Sequence, residues 1–170
     1  MVILSLGSNL PSKFGDKFDN LKHALSLLKQ KGILIEKESS FYETPSYPDK
    51  SNPKFANMVI SIKTNLSPID LMFVIIDIEE NLERVKRNKN DPRTCDIDII
   101  DYNSEILNFK NKDLHLVIPH KDLISRNFVL FPLQEIFPNW KHPKTRETIS
   151  ELIHNLDEED RNSILKVKKN

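Results

Sequence analysis

Two adjacent stretches concentrate the ionisable residues of this chain. Residues 84–93 read Arg-Val-Lys-Arg-Asn-Lys-Asn-Asp-Pro-Arg, with five cations, one anion and three of the chain's six arginines. Residues 96–101 read Asp-Ile-Asp-Ile-Ile-Asp, with three anions and no cation. On a strand, Asp96 and Asp98 leave the same face, about 7 Å apart along the chain. Like charges that close repel unless something cationic lies between them. Paired carboxylates suit magnesium, which completes its shell with phosphate and water oxygens. Guanidinium forks match phosphate oxygens, so Arg84 and Arg93 next door fit the same chemistry, that of a metal-bridged polyphosphate. A charge run alone is most often a solvated helix end, and a lone Asp-x-Asp is a weak signal. The two together make a candidate site.

A second set of residues is weaker. Pro119-His120 and Arg126-Asn127-Phe128 contain a histidine, an arginine and an aromatic ring, each of which alone suits a loop, a surface or a core. Phe55 and Asn57 are two apart in a β-rich stretch, and an aromatic beside an amide can stack on and hydrogen-bond a flat heterocycle. His23, His115, His142 and His154 show no metal-ligand spacing, and no Ser-His-Asp or Cys-His arrangement has local support. Cys95 flanks the acidic stretch and reads as a small core hydrophobe.

The elements that must position these residues follow from periodicity. Val2 to Leu6 is a short apolar run closed by Gly7-Ser8-Asn9, which predicts a buried strand. Leu21, Ala24, Leu25 and Leu28 place a helix over 16–31 with Gly32 as its stop. Ile33 to Thr44 predicts one extended segment ending at Pro45, and 46–53 a loop. Phe55 to Thr64 predicts its partner strand. Ser67-Pro68-Ile69-Asp70 starts a second helix. Leu71, Ile75, Ile78, Leu82 and Val85 carry its stripe as far as Asn88-Lys89-Asn90-Asp91-Pro92. Cys95 to Ile100 alternates as a strand; a hairpin over 101–118 and a short helix near 128–135 follow. Residues 139–170 read as a weakly amphipathic tail, in which Asp157-Glu158-Glu159-Asp160 and the Lys-rich end look like a solvated helix with a frayed end. The order strand, helix, strand, strand, helix, strand predicts an α+β fold with a ferredoxin-like βαββαβ core, an antiparallel sheet with helices packed on one face.

Composition bounds the rest. At 170 residues the chain is about one domain's worth, and we read 1–170 as a single domain. Lys+Arg and Asp+Glu both number 25, so no global field points to nucleic acid or an anionic membrane. A single cysteine excludes an internal disulfide framework, and the N-terminus lacks a basic leader, which together predict a cytoplasmic protein. The chain holds three glycines, Gly7, Gly15 and Gly32, where average usage gives about twelve. None are spaced as GxxxxGK or GxGxxG, so any phosphate must be held without a glycine loop.

Taken in order, Gly7-Ser8-Asn9-Leu10, Ser40-Phe41-Tyr42-Glu43-Thr44-Pro45, Phe55-Ala56-Asn57, Asp91-Pro92-Arg93-Thr94-Cys95-Asp96-Ile97-Asp98, and Ile118-Pro119-His120 with Arg126-Asn127-Phe128 resemble the 6-hydroxymethyl-7,8-dihydropterin pyrophosphokinase family of folate biosynthesis. The likeness runs from Val2 to about Pro138, and PRxxDxDI is its most specific part. It implies transfer of the β,γ-pyrophosphoryl group of ATP to the pterin's hydroxymethyl oxygen, with AMP released. It also implies that Asp96 and Asp98 hold two magnesium ions, and that Arg84 and Arg93 clamp the phosphates with Lys86 nearby. ATP would further touch Ile99, His120 and Arg126. The pterin would lie between Phe55 and Phe128, with Thr44, Pro45, Tyr47, Asn57 and Asp96 around its edge. Loops 9–16, 46–53 and 86–94 would close over the substrates. Small-molecule substrates, no nucleic acid, no membrane and a monomer complete the expectation.

The chain departs from the family's usual pattern at Lys86, where arginine is common, at Asn90, where a tryptophan is common, and at Phe55 and Lys121, where tyrosines are common. Two other readings stay open at this level. A two-metal nuclease or nucleotidyl transferase also uses paired carboxylates, although no long basic face is visible. Asn90 and Lys121 suggest a non-catalytic pterin or nucleotide binder.

Overall fold

The computed structural model describes residues 1–85, 91–112 and 114–167. Lys86 and Asn90 lie outside the described residues. The main sheet has the spatial order β5 (Asp96–Tyr102), β1 (Val2–Ser8), β4 (Phe55–Lys63), β3 (Tyr42–Thr44) and β8 (Leu165–Lys166), with β2 (Leu34–Glu38) also on β4. All its pairings are antiparallel. Strands β6 (Leu107–Lys110) and β7 (His115–Ile118) form the separate hairpin expected after β5.

Helix α1 (Lys17–Gln30) starts where Asp16 and Asp19 cap each other's backbone, a reciprocal box that satisfies two orphan N–H groups. In α2 (Pro68–Asn81) the Ser67 hydroxyl accepts from the Asp70 N–H, with Pro68 in the first turn. Both helices pack on one face of the sheet. Leu21, Ala24, Leu25, Leu28, Leu71, Ile75 and Ile78 meet Leu4, Leu6, Met58, Ile60, Ile97 and Ile99 there, as period 2 against period 3.6 requires.

Four expectations need correction. The extended segment 33–44 is two strands: β2 pairs with 60–63 and β3 with 55–57 on the same edge of β4. Buried Ser39 bridges the break, its N–H to the Val59 carbonyl (2.9 Å) and its hydroxyl accepting from the Val59 N–H (3.0 Å). Helix α2 stops at Asn81, leaving Val85 64% exposed. The Arg84 N–H returns to the Glu79 carbonyl and the Glu83 N–H to that of Glu80, while Glu83 takes φ +62°. That is a Schellman ending with glutamate where glycine is usual, so the spacing of Val85 was fortuitous. Helices also cover both sheet faces. On the second face α3 (Asn127–Ile136) and α4 (Ile149–His154) bring Val129, Leu130, Leu133, Ile149 and Leu152 onto Ile3, Val59 and Ile100. Finally, 139–156 is not a weakly amphipathic tail: Trp140, Ile149, Leu152 and Leu156 are core, and Trp140 Nε1 donates to the buried Asp101 carboxylate (2.8 Å), whereas the solvated helix expected from Asp157 on is present at Glu158–Asn162 with no buried residue.

Candidate active site

The second sheet face is only half covered. Pairing sets Asp96 opposite Gly7 and Gly7 opposite Asn57, and the next row is Asp98, Ser5 and Val59. Paired residues share a face, so these rows run from a polar end toward the apolar cluster. A Cβ on Gly7 would meet Asn57 Oδ1 at 3.3 Å and Phe55 Cδ1 at 3.7 Å. Glycine therefore keeps the floor between the carboxylates and Asn57 low.

Both aspartates stand as alternation predicted, and guanidinium groups hold each of them. Arg84 Nη1 contacts Asp96 Oδ1 at 2.7 Å, Arg93 Nη1 contacts Asp96 Oδ2 at 2.9 Å, and Arg126 Nη1 contacts Asp98 Oδ2 at 2.8 Å. Arg84 also pairs with Glu79. Burial and the adjacent Asp96 charge push the Asp98 carboxyl up, against the opposite pull of His120 and Arg126. Burial works against the Arg84 charge, yet Asp96 and Glu79 hold its pKa above the ordinary value. Burial holds the His120 imidazole below its ordinary value against the pull of Asp98. Its Nδ1 accepts from the Asp122 N–H (3.1 Å), so a neutral ring carries its proton on Nε2. Arg93 Nε is buried with no hydrogen-bond partner among the described residues, a donor suited to an incoming anion.

The aromatic residues flank this network. The Arg93 guanidinium lies 5.4 Å from the centre of the Phe55 ring, and that of Arg126 lies 5.5 Å from Phe128. Asn57 Nδ2 donates to Thr44 Oγ1 (3.0 Å), joining two predicted edge readers. Thr44 is buried, Pro45 half-buried, and the Tyr47 side chain 80% exposed. Ile99 is set apart: its side chain lies in the core under α1 and α2, on the opposite face from Asp98. Only its backbone can meet a ligand on the site face. Cys95 is buried, and burial pushes its thiol up, as an inert core residue requires.

Two residues matter more than the sequence suggested. Glu79, 2% exposed, accepts from the Ile97 N–H (2.8 Å) and pairs with Arg84. It falls four residues after Ile75, and an acid on an apolar stripe was the available signal. Asn9 joins three loops. Its Nδ2 donates to Ser46 Oγ (3.2 Å) and the Pro53 carbonyl (3.1 Å), while its Oδ1 accepts from the Arg93 N–H (2.7 Å). No spacing rule reveals partners 37, 44 and 84 residues away.

Asp96 and Asp98 supply two hard oxygen donors on one face, which fits magnesium. Among the described residues no group of three or more His, Cys, Asp or Glu could hold an ion. A cation with a polyphosphate can exchange partners with the network: the cation takes the carboxylates, the phosphates take the guanidiniums, and ion pairing is conserved.

The comparisons with known proteins identify the family. The model for 7,8-dihydro-6-hydroxymethylpterin-pyrophosphokinase (HPPK) matches residues 3–138. The 2-amino-4-hydroxy-6-hydroxymethyldihydropteridine pyrophosphokinase of Aquifex aeolicus is 36% identical over 150 residues, 88% of each chain. The protein of that name from Synechocystis is 34% identical over 156 residues, 91% of this chain and 75% of its own. The folic acid synthesis protein FOL1 of Dictyostelium discoideum is 38% identical over 156 residues, and the aligned region is 92% of this chain but 22% of that relative. Plasmodium falciparum HPPK-DHPS superposes with a TM-score of 0.71 at 20% identity, over 89% of this chain and 40% of its own, a likeness of fold. On a match that takes in both sheet-borne carboxylates and the arginines around them, the chain belongs to the 7,8-dihydro-6-hydroxymethylpterin-pyrophosphokinase family.

Proposed function

We propose that the protein transfers pyrophosphate from ATP to the hydroxymethyl group of 6-hydroxymethyl-7,8-dihydropterin, giving AMP and the pterin diphosphate. The observation that carries this reading is the Asp96–Asp98 pair on the uncovered half-face, gripped by Arg84, Arg93 and Arg126. The hydroxymethyl oxygen forms a bond to the β-phosphorus. The bond from that phosphorus to the bridging oxygen of AMP breaks, so AMP leaves with the electron pair, and the hydroxyl proton passes to a phosphate oxygen or to solvent.

Such transfer needs little covalent help from protein and depends on positioning and charge neutralisation. Asp96 and Asp98 would hold magnesium, two ions in our reading, which when bound offsets phosphate charge and orients the phosphate chain. Arg84 and Arg93 leave Asp96 to bind phosphate oxygens, a role that the family resemblance extends to Lys86. Arg126 and the Nε2–H of His120 bind the nucleotide from the other side, near the backbone of Ile99. Phe55 and Phe128 stack on the pterin once their guanidinium caps turn to phosphate, each aromatic pair adding about 0.5–1.5 kcal/mol beyond burial. Thr44, Pro45, Tyr47 and Asn57 read the ring edge. We read the enzyme as a cytoplasmic monomer acting on small molecules; its one cysteine, Cys95, is buried, and among the described residues no helix is long and apolar enough to cross a membrane.

Incubation with ATP, magnesium and the pterin, followed by chromatography, tests the reading. AMP and pterin diphosphate in equal amounts are expected. ADP as the nucleotide product, or no pterin diphosphate, overturns it.

A further inference from the structure

The family match ends at residue 138, yet residues 157–167 return to one side of the site. Asp157 caps the short helix α5 (Glu158–Asn162) by accepting from the Asp160 N–H. Strand β8 then pairs with β3, Tyr42 opposite Lys166 and Glu43 opposite Leu165, and the Val167 N–H donates to the Phe41 carbonyl (2.8 Å). Lys166 Nζ reaches Glu135 Oε1 (3.0 Å), a carboxylate that also accepts from the Tyr42 hydroxyl (2.9 Å) and from Ser40. Asn127 Nδ2 donates to the Asp160 carbonyl (2.6 Å) and to Ser163 Oγ (3.0 Å). Lys50 and Glu159 form an ion pair.

These attachments share a direction. Strand β3 runs directly into Thr44–Tyr47. Asn127 is buried between Arg126 and Phe128 in sequence. Lys50 lies in the 46–53 loop. Thr44–Tyr47, the 46–53 loop and Phe128 belong to the pterin side of the proposed site, with the nucleotide-side Arg126 next to Asn127, whereas none of these attachments is made to Arg84 or Arg93. Strand β3 takes its register from β4 through three paired residues, and β8 adds two on its outer edge, covering backbone groups that an edge would leave unpaired on a strand whose last residue is Thr44.

We infer that residues 157–167 form a strap that sets the 46–53 loop and Phe128 for the pterin, with Asn127 and Glu159 as positioning residues that do not touch substrate. The inference rests on the pyrophosphokinase reading for its ligand but not for its mechanics. Charge reversal separates the strap from general stability, because Lys50 and Glu159 are both exposed and bury no core.

The test uses the full chain carrying Glu159→Lys, Lys50→Glu, both together, and Asn127→Asp. At low salt each single reversal raises the KM for the pterin about two- to five-fold, the size expected of an exposed ion pair, and leaves the KM for ATP unchanged. The double reversal restores the wild-type value, and high salt removes the difference. Asn127→Asp, which loses both donations, raises the pterin KM about ten-fold. In the same variants, hydrogen exchange of residues 45–54 accelerates relative to α1 and α2, a readout that needs no turnover. Equal rises in both KM values, or unchanged exchange in 45–54, overturn the strap. A wild-type chain that releases no AMP overturns the activity reading instead, and the exchange data still decide the strap.

Discussion

Two halves of a single sheet face behave in opposite ways. At one end Ile3, Val59 and Ile100 are fully buried under α3 and α4. At the other Asp96, Asp98, Gly7 and Asn57 belong to the same strands and the same face, and carry charge and amide groups instead. The border is one pairing row, Asp98–Ser5–Val59, where an aspartate and a core valine share a line across β1. Rows of one face are about 7 Å apart along a strand, so a step of two residues passes from core to chemistry. The lesson is economic in structure rather than in sequence: the covered half makes the open half rigid. Buried apolar groups contribute about 1.5–3 kcal/mol each, and on the strands they fix, Arg84, Arg93 and Arg126 hold the like charges close.

The largest break is expected on the open half. Asp98→Ala removes one of two magnesium-suited donors, and AMP release should fall about a thousand-fold or more, the scale of losing a main electrostatic contact. Thermal unfolding should stay near wild type, because Asp98 adds charge rather than packing. Near-wild-type turnover would show that the metal assignment is wrong. On the covered half the pattern should invert. Ile100→Ala should cost about 2–5 kcal/mol in a denaturant titration, with the folded fraction retaining most of its turnover. A loss of turnover exceeding the loss of folded protein would mean that the halves are not separable.

Glu79 tests the border from beneath, since it serves both the fold, through the Ile97 N–H, and the site, through Arg84. Glu79→Gln keeps the acceptor and loses the charge. A moderate effect on both readouts is expected, about 1–3 kcal/mol in stability and roughly ten-fold in the KM for ATP. An effect on stability alone would leave Arg84 out of nucleotide binding.

The smallest effect belongs to His142, deep in the covered half. Burial holds its imidazole below the ordinary 6.5, and its Nδ1 accepts from the N–H groups of Lys144 (3.3 Å) and Thr145 (3.1 Å). The folded state then binds the proton less readily than the unfolded chain. The stability His142 contributes is complete above 6.5 and is lost as pH falls below it. His142→Gln should flatten that part of the stability–pH curve. Identical curves for both proteins would show that this ring titrates normally.

Much of the site was legible because strand alternation is local. Asp96 and Asp98 had to share a face once β5 was a strand, and the basic run beside them announced anionic ligands. The boundaries that failed did so for reasons beyond local pattern. Val85 kept helical spacing, but Glu83 took a left-handed turn that brought Arg84 back to Glu79. The stretch 33–44 looked continuous, yet β2 and β3 pair with β4 in separate registers, with an irregularity between Ile35 and Lys37.

Residue type and period by themselves determined the succession of strand and helix up to β5, save the break of 33–44 into two strands, the Ser67 start of α2, the carboxylate pair and the absence of a glycine phosphate loop, because each depends on neighbours within a few positions. Only the tertiary structure decided which half of the second sheet face stays open. Coverage there depends on Trp140, Ile149 and Leu152 reaching Ile3, Val59 and Ile100, partners too far along the chain for any period to record. The same holds for Asn9, which joins three loops through contacts 37 to 84 residues away, and for the strap that returns residues 157–167 to β3. Long-range closure is set by the summed packing of the whole chain, and no local stretch carries it.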